Sequence, residues 1–273
     1  MPTIVEIGPV RELLHQDWAA LRTLCADLDD DAWATPTCLP GWTVQDQLAH
    51  VIGTELMLEG VPAPDVDVSH LTHLRNDIAR MGEVWVEDMR SLSGPEVLAR
   101  FDEVVARRGA ALDAMTQAGF DAPSWTPVGK DETYGRFMRI RHYDTFLHEH
   151  DIRDALGLED RADERSIEYA LPEVVPALGY IVGRKAAMAD GTSVRIELTG
   201  PVHATYLVQV DGRAQVVSHL DGEPTVALRM PTMLFLRLTG GRTEAAAQLG
   251  YGLEIEGDQQ LGLHLASNMA MTI

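Results

Sequence analysis

With 273 residues the chain can form one large domain or two ordinary ones, and a 45% hydrophobic content supplies a sizeable core. A net charge of −20 argues against a nucleic-acid partner and against anionic membranes, since both present negative charge. No run of eighteen apolar residues occurs, Met1-Pro2-Thr3-Ile4-Val5-Glu6 lacks the features of an export signal, and two cysteines are too few for a disulfide framework; a cytoplasmic protein is expected.

Residues 8–28 place Val10, Leu13, Leu14, Trp18, Leu21, Leu24, Cys25 and Leu28 at helical spacing, which predicts a long amphipathic helix. His15 lies on or beside this stripe, where a lone histidine is more often packing than a ligand. Cys25 reads as inert packing, and Asp29-Asp30-Asp31 as a solvated turn. Trp33 to Trp42 holds two prolines and a glycine and reads as a loop. Cys38 within it has no neighbour in sequence that would activate its thiol. Thr43 and Asp46 form a capping-box-like start for a helix from Val44 to about Glu59. His50 falls two turns into that helix among apolar neighbours, and on its own reads as a buried, hydrogen-bonded histidine.

Residues 61–69 form a linker, and a third helix is expected from about His70 to Leu92. Pro95 suits the first turn of a fourth helix reaching Gln117, and residues 118–135 read as a long loop of the kind that often lines a site. The segment from Arg136 to Leu156 has no internal glycine or proline and predicts another helix, ended by Gly157. Residues four and seven apart share a helical face, so Asp144, His148 and Asp151 point the same way. A carboxylate and an imidazole one turn apart are side chains that bind a borderline divalent metal, although two ligands do not make a site. The sum is a bundle of at least four long helices, an architecture that assembles metal sites from facing helices.

Two motifs carry a resemblance. Pro40-Gly41-Trp42-Thr43-Val44-Gln45-Asp46-Gln47-Leu48-Ala49-His50 resembles a signature of the mycothiol-dependent maleylpyruvate isomerase family, within the DinB-like metal-binding bundles. Asp144, His148, Asp151-Ile152 and Ala155-Leu156-Gly157 are similar to that family's second signature. The resemblance implies metal ligands at His50, Asp144 and His148. Asp144 stands where the isomerases usually have Glu, one methylene longer. His150 replaces an aromatic residue and faces away from His148. Asp151 would orient His148 or His50 from behind.

Residues 164–190 read as helical pieces broken at Pro172 and Pro176. Strands follow at Ser193–Leu198, Ala204–Val210, Ala214–Ser218 and Thr225–Met230, with Asp211-Gly212 as a hairpin turn. A helix from Pro231 to Leu238, a short helix from Thr243, a strand at Leu253–Glu256 and a final helix complete the chain. This order, with Arg242 and Gly257-Asp258, resembles the sterol-carrier-like domain of the same family. The expected fold is therefore α+β in two domains: a DinB-like four-helix bundle over 1–160, a helical connector over 161–190 and a smaller sterol-carrier-like domain over 191–273.

Three protein ligands with an open position are the arrangement of a catalytic metal. Zinc is the first expectation, with nickel, iron or manganese also compatible. The resemblance implies mycothiol, an actinobacterial thiol, as cosubstrate; the arginine-rich, lysine-poor composition hints at a GC-rich genome. The expected activity is metal-assisted addition of the thiol to a small electrophile, ending in isomerisation or S-transfer. Arg242, with Arg237 behind it, is the candidate cation for an acidic reactant, and Trp42 and Tyr134 are candidate pocket walls. A metal-water hydrolase and a non-enzymatic carrier of an apolar molecule are the alternatives. A monomer or homodimer is expected.

Overall fold

Val10, Leu13, Leu14, Trp18, Leu21 and Cys25 form one stripe of α1 (Ile7–Cys25), and all are buried, as their spacing predicts. The computed structural model describes residues 1–271 and divides the chain into two units, Met1–Arg161 and a second beginning at Ala162. After α1 come a single turn, α2 (Asp30–Trp33), and α3 (Val44–Leu58). The capping box of α3 is present: the Thr43 side chain accepts from the Asp46 amide, and the Asp46 carboxylate accepts from the Thr43 amide at 2.8 Å.

α4 (Asp77–Met89) is shorter than the periodicity suggests. Asn76 ends the irregular stretch by accepting from the Ala79 amide at 2.9 Å, so 70–76 are turns that bury only Leu74. α5 (Gly94–Asp113) opens on the Ser93/Glu96 box with Pro95 in its first turn. After α6 (Gln117–Phe120), the expected loop contains an antiparallel hairpin, β1 (Pro123–Thr126) and β2 (Gly129–Thr133). Its residues, mostly exposed or half-buried, lack the alternation by which a half-buried strand announces itself. Thr133 then caps α7 (Tyr134–Ala155), accepting from the Arg136 amide at 3.0 Å.

Helices α1, α3, α5 and α7 form the bundle, and α4 packs on α3. The α3–α4 contact requires a glycine. A Cβ at Gly53 would sit 2.3 Å from the Trp85 Cβ. Gly53→Ala is therefore expected to destabilise by about 1–3 kcal/mol despite alanine's better helix propensity, a loss that urea denaturation would read.

α7 has the most buried residues of the bundle's helices and also carries much of its buried charge. On one side Asp17 accepts from His142 Nδ1 at 2.6 Å, and Arg161 donates to Asp17 at 2.9 Å and to Glu149 at 2.7 Å. Asp17, His142 and Glu149 are fully buried. Burial pushes the Glu149 carboxyl up, but Arg161 overrides it and holds the group below its ordinary 4.5. The stabilisation from this ionised carboxylate is complete above the unfolded value and disappears as pH falls through the lower folded one. Glu149→Gln should therefore lower the melting temperature most near neutrality, with the gap to wild type closing below about pH 4.5 in a pH-resolved thermal series.

In the second unit α8 (Glu164–Val174) runs through Pro172 without breaking. The change of geometry comes at Pro176, in a 3-10 turn, followed by α9 (Leu178–Tyr180) and a π turn over Ile181–Lys185. Next are β3 (Ser193–Thr199), β4 (Ala204–Asp211), β5 (Arg213–Val217), β6 (Val226–Pro231), α10 (Thr232–Thr239), α11 (Ala245–Gln248), β7 (Glu254–Gly257) and α12 (Gln259–Ser267). The sheet order is β5-β4-β3-β6-β7, with β3 and β6 parallel and the other pairs antiparallel. Gly212, at φ +64°, turns β4 into β5. Val194, Ile196, Leu198, Val226, Leu228 and Met230 supply the buried face. α8 packs on α10 and α9 on β5, so the segment read as a connector clusters with this unit. A helical N-terminal domain followed by an α+β domain is the architecture.

Candidate metal centre

α3 contributes His50, and α7 contributes Asp144 and His148 from successive turns. One donor atom from each lies within 4.8 Å of the other two. His50 Nε2 is 3.3 Å from Asp144 Oδ2, and His148 Nε2 is 3.3 Å from Asp144 Oδ1. Ligands 2.0–2.1 Å from a tetrahedral ion stand about 3.3–3.4 Å apart, a spacing that each imidazole matches toward its own oxygen of Asp144. The His148 side chain is 4% exposed, that of His50 18% and that of Asp144 30%, which leaves one side of the cluster accessible.

The hydrogen bonds behind His148 fix which of its nitrogens faces Asp144. Gln47, one turn before His50, donates its amide nitrogen to Thr37 Oγ1 at 2.8 Å. Its Oε1 therefore accepts from His148 Nδ1, 2.5 Å away. With Nδ1 protonated, the neutral ring presents the Nε2 lone pair to a carboxylate oxygen, and a proton or a metal ion must lie between them. Asp151 Oδ2 is 3.4 Å from the same Nδ1, a longer contact than that of Gln47. The outward nitrogen of His50, Nδ1, is buried without a partner, on the side where Gly82 has no side chain.

The charges are tightly coupled. Burial would raise the Asp144 carboxyl, but His148, Arg141 and His50 hold it well below its usual range. Burial would lower His148, but Asp144 and Asp151 hold it above its ordinary 6.5. For His50 burial prevails over the pull of Asp144, and the group is lowered.

Trp42 covers the two imidazoles, its ring centroid 5.2 Å from His50 and 5.8 Å from His148. Its Nε1 donates to Glu83 Oε2 at 2.9 Å, and Arg90 donates to the other Glu83 oxygen at 3.1 Å. Cys38 donates its thiol to Asp151 Oδ1 at 3.3 Å, which puts this loop cysteine against the carboxylate that contacts His148 Nδ1. Tyr134 is tied to Arg108, whose Nη2 donates to the phenol oxygen at 2.9 Å. His150 bonds the Phe146 carbonyl at 2.7 Å and packs on the Phe146 ring, and His15 pairs with Asp113 at 3.1 Å. Arg237 is half-buried on α10, and Arg242 is buried in the second unit, donating to the Gly240 carbonyl at 2.5 Å.

Four participants escape a reading of the motifs. Gln47, Arg141, Glu55 and Glu83 are polar residues on helices, and burial is what reveals Glu55 and Glu83. Gln47 and Arg141 carry a usable signal, since each lies three residues before a clustered donor on the same face.

Residues 14–153 match the family described as the mycothiol maleylpyruvate isomerase N-terminal domain, and residues 183–269 match the SCP-2 sterol transfer family. The crystal structure of the mycothiol-dependent maleylpyruvate isomerase superposes with a TM-score of 0.60 at 15% identity, covering 94% of this chain and 96% of that one. A mutant of that isomerase gives the same score at 14% identity. At such identities the likeness is one of fold. An uncharacterized protein of Mycobacterium tuberculosis is 27% identical over 163 residues, 58% of this chain and 60% of that protein. The chain thus spans less than two thirds of that relative's length. The first family match takes in just over half of the 273 residues and holds all three clustered donors, and the chain belongs to the mycothiol maleylpyruvate isomerase N-terminal domain family.

Proposed function

We propose that the protein is a metal-dependent, thiol-dependent enzyme in which His50, Asp144 and His148 hold a divalent ion, with zinc first among the candidates. The carrying observation is the cluster of two imidazole nitrogens and one carboxylate, partly open on one side. Such an ion supplies a position at which a thiol is favoured as its nucleophilic thiolate. Gln47 and Asp151 fix the ring of His148 so that Nε2 faces inward. Trp42, anchored on Glu83, shields the imidazoles. Asp144, the most exposed of the three, marks the open side.

Family membership supports mycothiol as the thiol and a small electrophile as its partner. Return of the thiol after bond rotation would make the reaction an isomerisation, and retention an S-transfer. Arg242, with Arg237 as second choice, is our candidate for binding an acidic reactant, and Tyr134 for a pocket wall. The match of residues 183–269 to a sterol transfer family favours a second reading, in which the C-terminal domain carries an apolar molecule.

The deciding experiment incubates the purified protein with maleylpyruvate and mycothiol, each reactant omitted in turn, before and after chelation. Turnover that needs thiol and is restored by added zinc is expected. Turnover of an electrophile without thiol would favour the hydrolase. Binding of a fluorescent fatty acid that survives chelation, with no turnover, would favour the carrier.

A further inference from the structure

The Asp144 side chain is 30% exposed, the most open of the three clustered donors. Its neighbours therefore determine which oxygen faces an ion. Oδ2 accepts from Nη1 of Arg141 and also lies near His50, whereas Oδ1 faces His148. The Arg141 side chain is 3% exposed, and its Nε donates to Glu55 Oε1 at 3.1 Å. Glu55 is held in turn by Arg108 Nε at 2.9 Å on its other oxygen. The guanidinium is thus fixed from two sides, with its planar fork divided between Glu55 and Asp144.

A buried cation beside a cation site opposes metal binding by charge alone, so its presence calls for a use. A carboxylate with one oxygen committed to a guanidinium is a poor chelate. We propose that Arg141 is a positioning residue of the metal centre: by occupying Oδ2 it holds Asp144 as a one-oxygen ligand through Oδ1 and keeps the next coordination position open for a thiol. This rests on the metal-centre reading above.

The test titrates the metal-free full chain with cobalt(II), then with 2-mercaptoethanol. Four-coordinate cobalt absorbs strongly in the visible and higher-coordinate cobalt weakly, and a bound thiolate adds a near-ultraviolet charge-transfer band. Wild type is expected to take one cobalt with strong absorption and to show the thiolate band. Arg141→Met should still bind cobalt, as tightly or up to about tenfold more tightly, but with weak absorption and at least about tenfold weaker thiol binding. Arg141→Lys keeps the cation without the fork, should shift in the same direction to a smaller degree, and carries the test if the methionine variant does not fold. Wild-type absorption and thiol affinity in the folded variant would overturn the proposal. Cobalt lost in step with helix content, the bound fraction keeping its spectrum, would make Arg141 merely structural and overturn it too. A wild type that takes up no cobalt would instead remove the metal reading itself, and the proposal with it.

Discussion

Replacing His148 by alanine is expected to abolish stoichiometric metal binding while leaving the bundle folded. Wild type should carry close to one divalent ion per chain by elemental analysis after zinc incubation, and His148→Ala close to none. His148 is nearly enclosed, and its Nε2 faces the Asp144 carboxylate at 3.3 Å. Its removal leaves His50 and an aspartate whose Oδ2 already accepts from Arg141. Two ligands, one of them partly committed, cannot retain an ion against buffer, and the fall in affinity should exceed the roughly 10–100-fold typical of outer-shell partners. Gln47→Leu supplies that comparison. It removes the 2.5 Å acceptor of His148 Nδ1 but leaves all three donors, so affinity should fall by about 10-fold to 100-fold and not vanish. Equal metal content in wild type and His148→Ala would place the ion elsewhere, and little metal in either would remove the centre from the account.

The parts legible in the sequence were those written in local spacing. The apolar stripe of α1, the Thr43/Asp46 box and the one-turn separation of Asp144 and His148 all follow from 3.6 residues per turn. His50 is different. Its partner Asp144 lies 94 residues away, and without the motif nothing distinguishes it from a core histidine. The same limit hid Glu55, which reads as an ordinary polar residue until α5 and α7 bring Arg108 and Arg141 to its two oxygens. The β1–β2 hairpin gives no such signal because its strands are mostly exposed or half-buried without alternation, and α4 starts later than its periodicity suggests because Asn76, and not the apolar pattern, sets it. Pro172 misled in the opposite direction, since α8 continues through it.

Glu55→Ala is expected to cause the largest loss of stability among single changes in the bundle, because one carboxylate joins three helices. Glu55 belongs to α3 and is 1% exposed; Arg108 of α5 and Arg141 of α7 donate to its separate oxygens at 2.9 and 3.1 Å. Truncation would leave two guanidinium groups, both nearly enclosed, facing each other across the vacated space. Arg108 would keep Tyr134, and Arg141 would keep Asp144, but neither would retain its central counter-charge. Breaking a buried pair in this way costs about 3–5 kcal/mol, or about 6–20 °C in the melting transition of a unit this size. Removing charge from both sides should cost less. Glu55→Leu combined with Arg108→Met leaves Arg141 on Asp144 and restores apolar contact between α3 and α5, so part of the loss should return. A double variant no more stable than Glu55→Ala would mean that the carboxylate acts through packing of its stem, whereas recovery would assign the loss to the stranded cations.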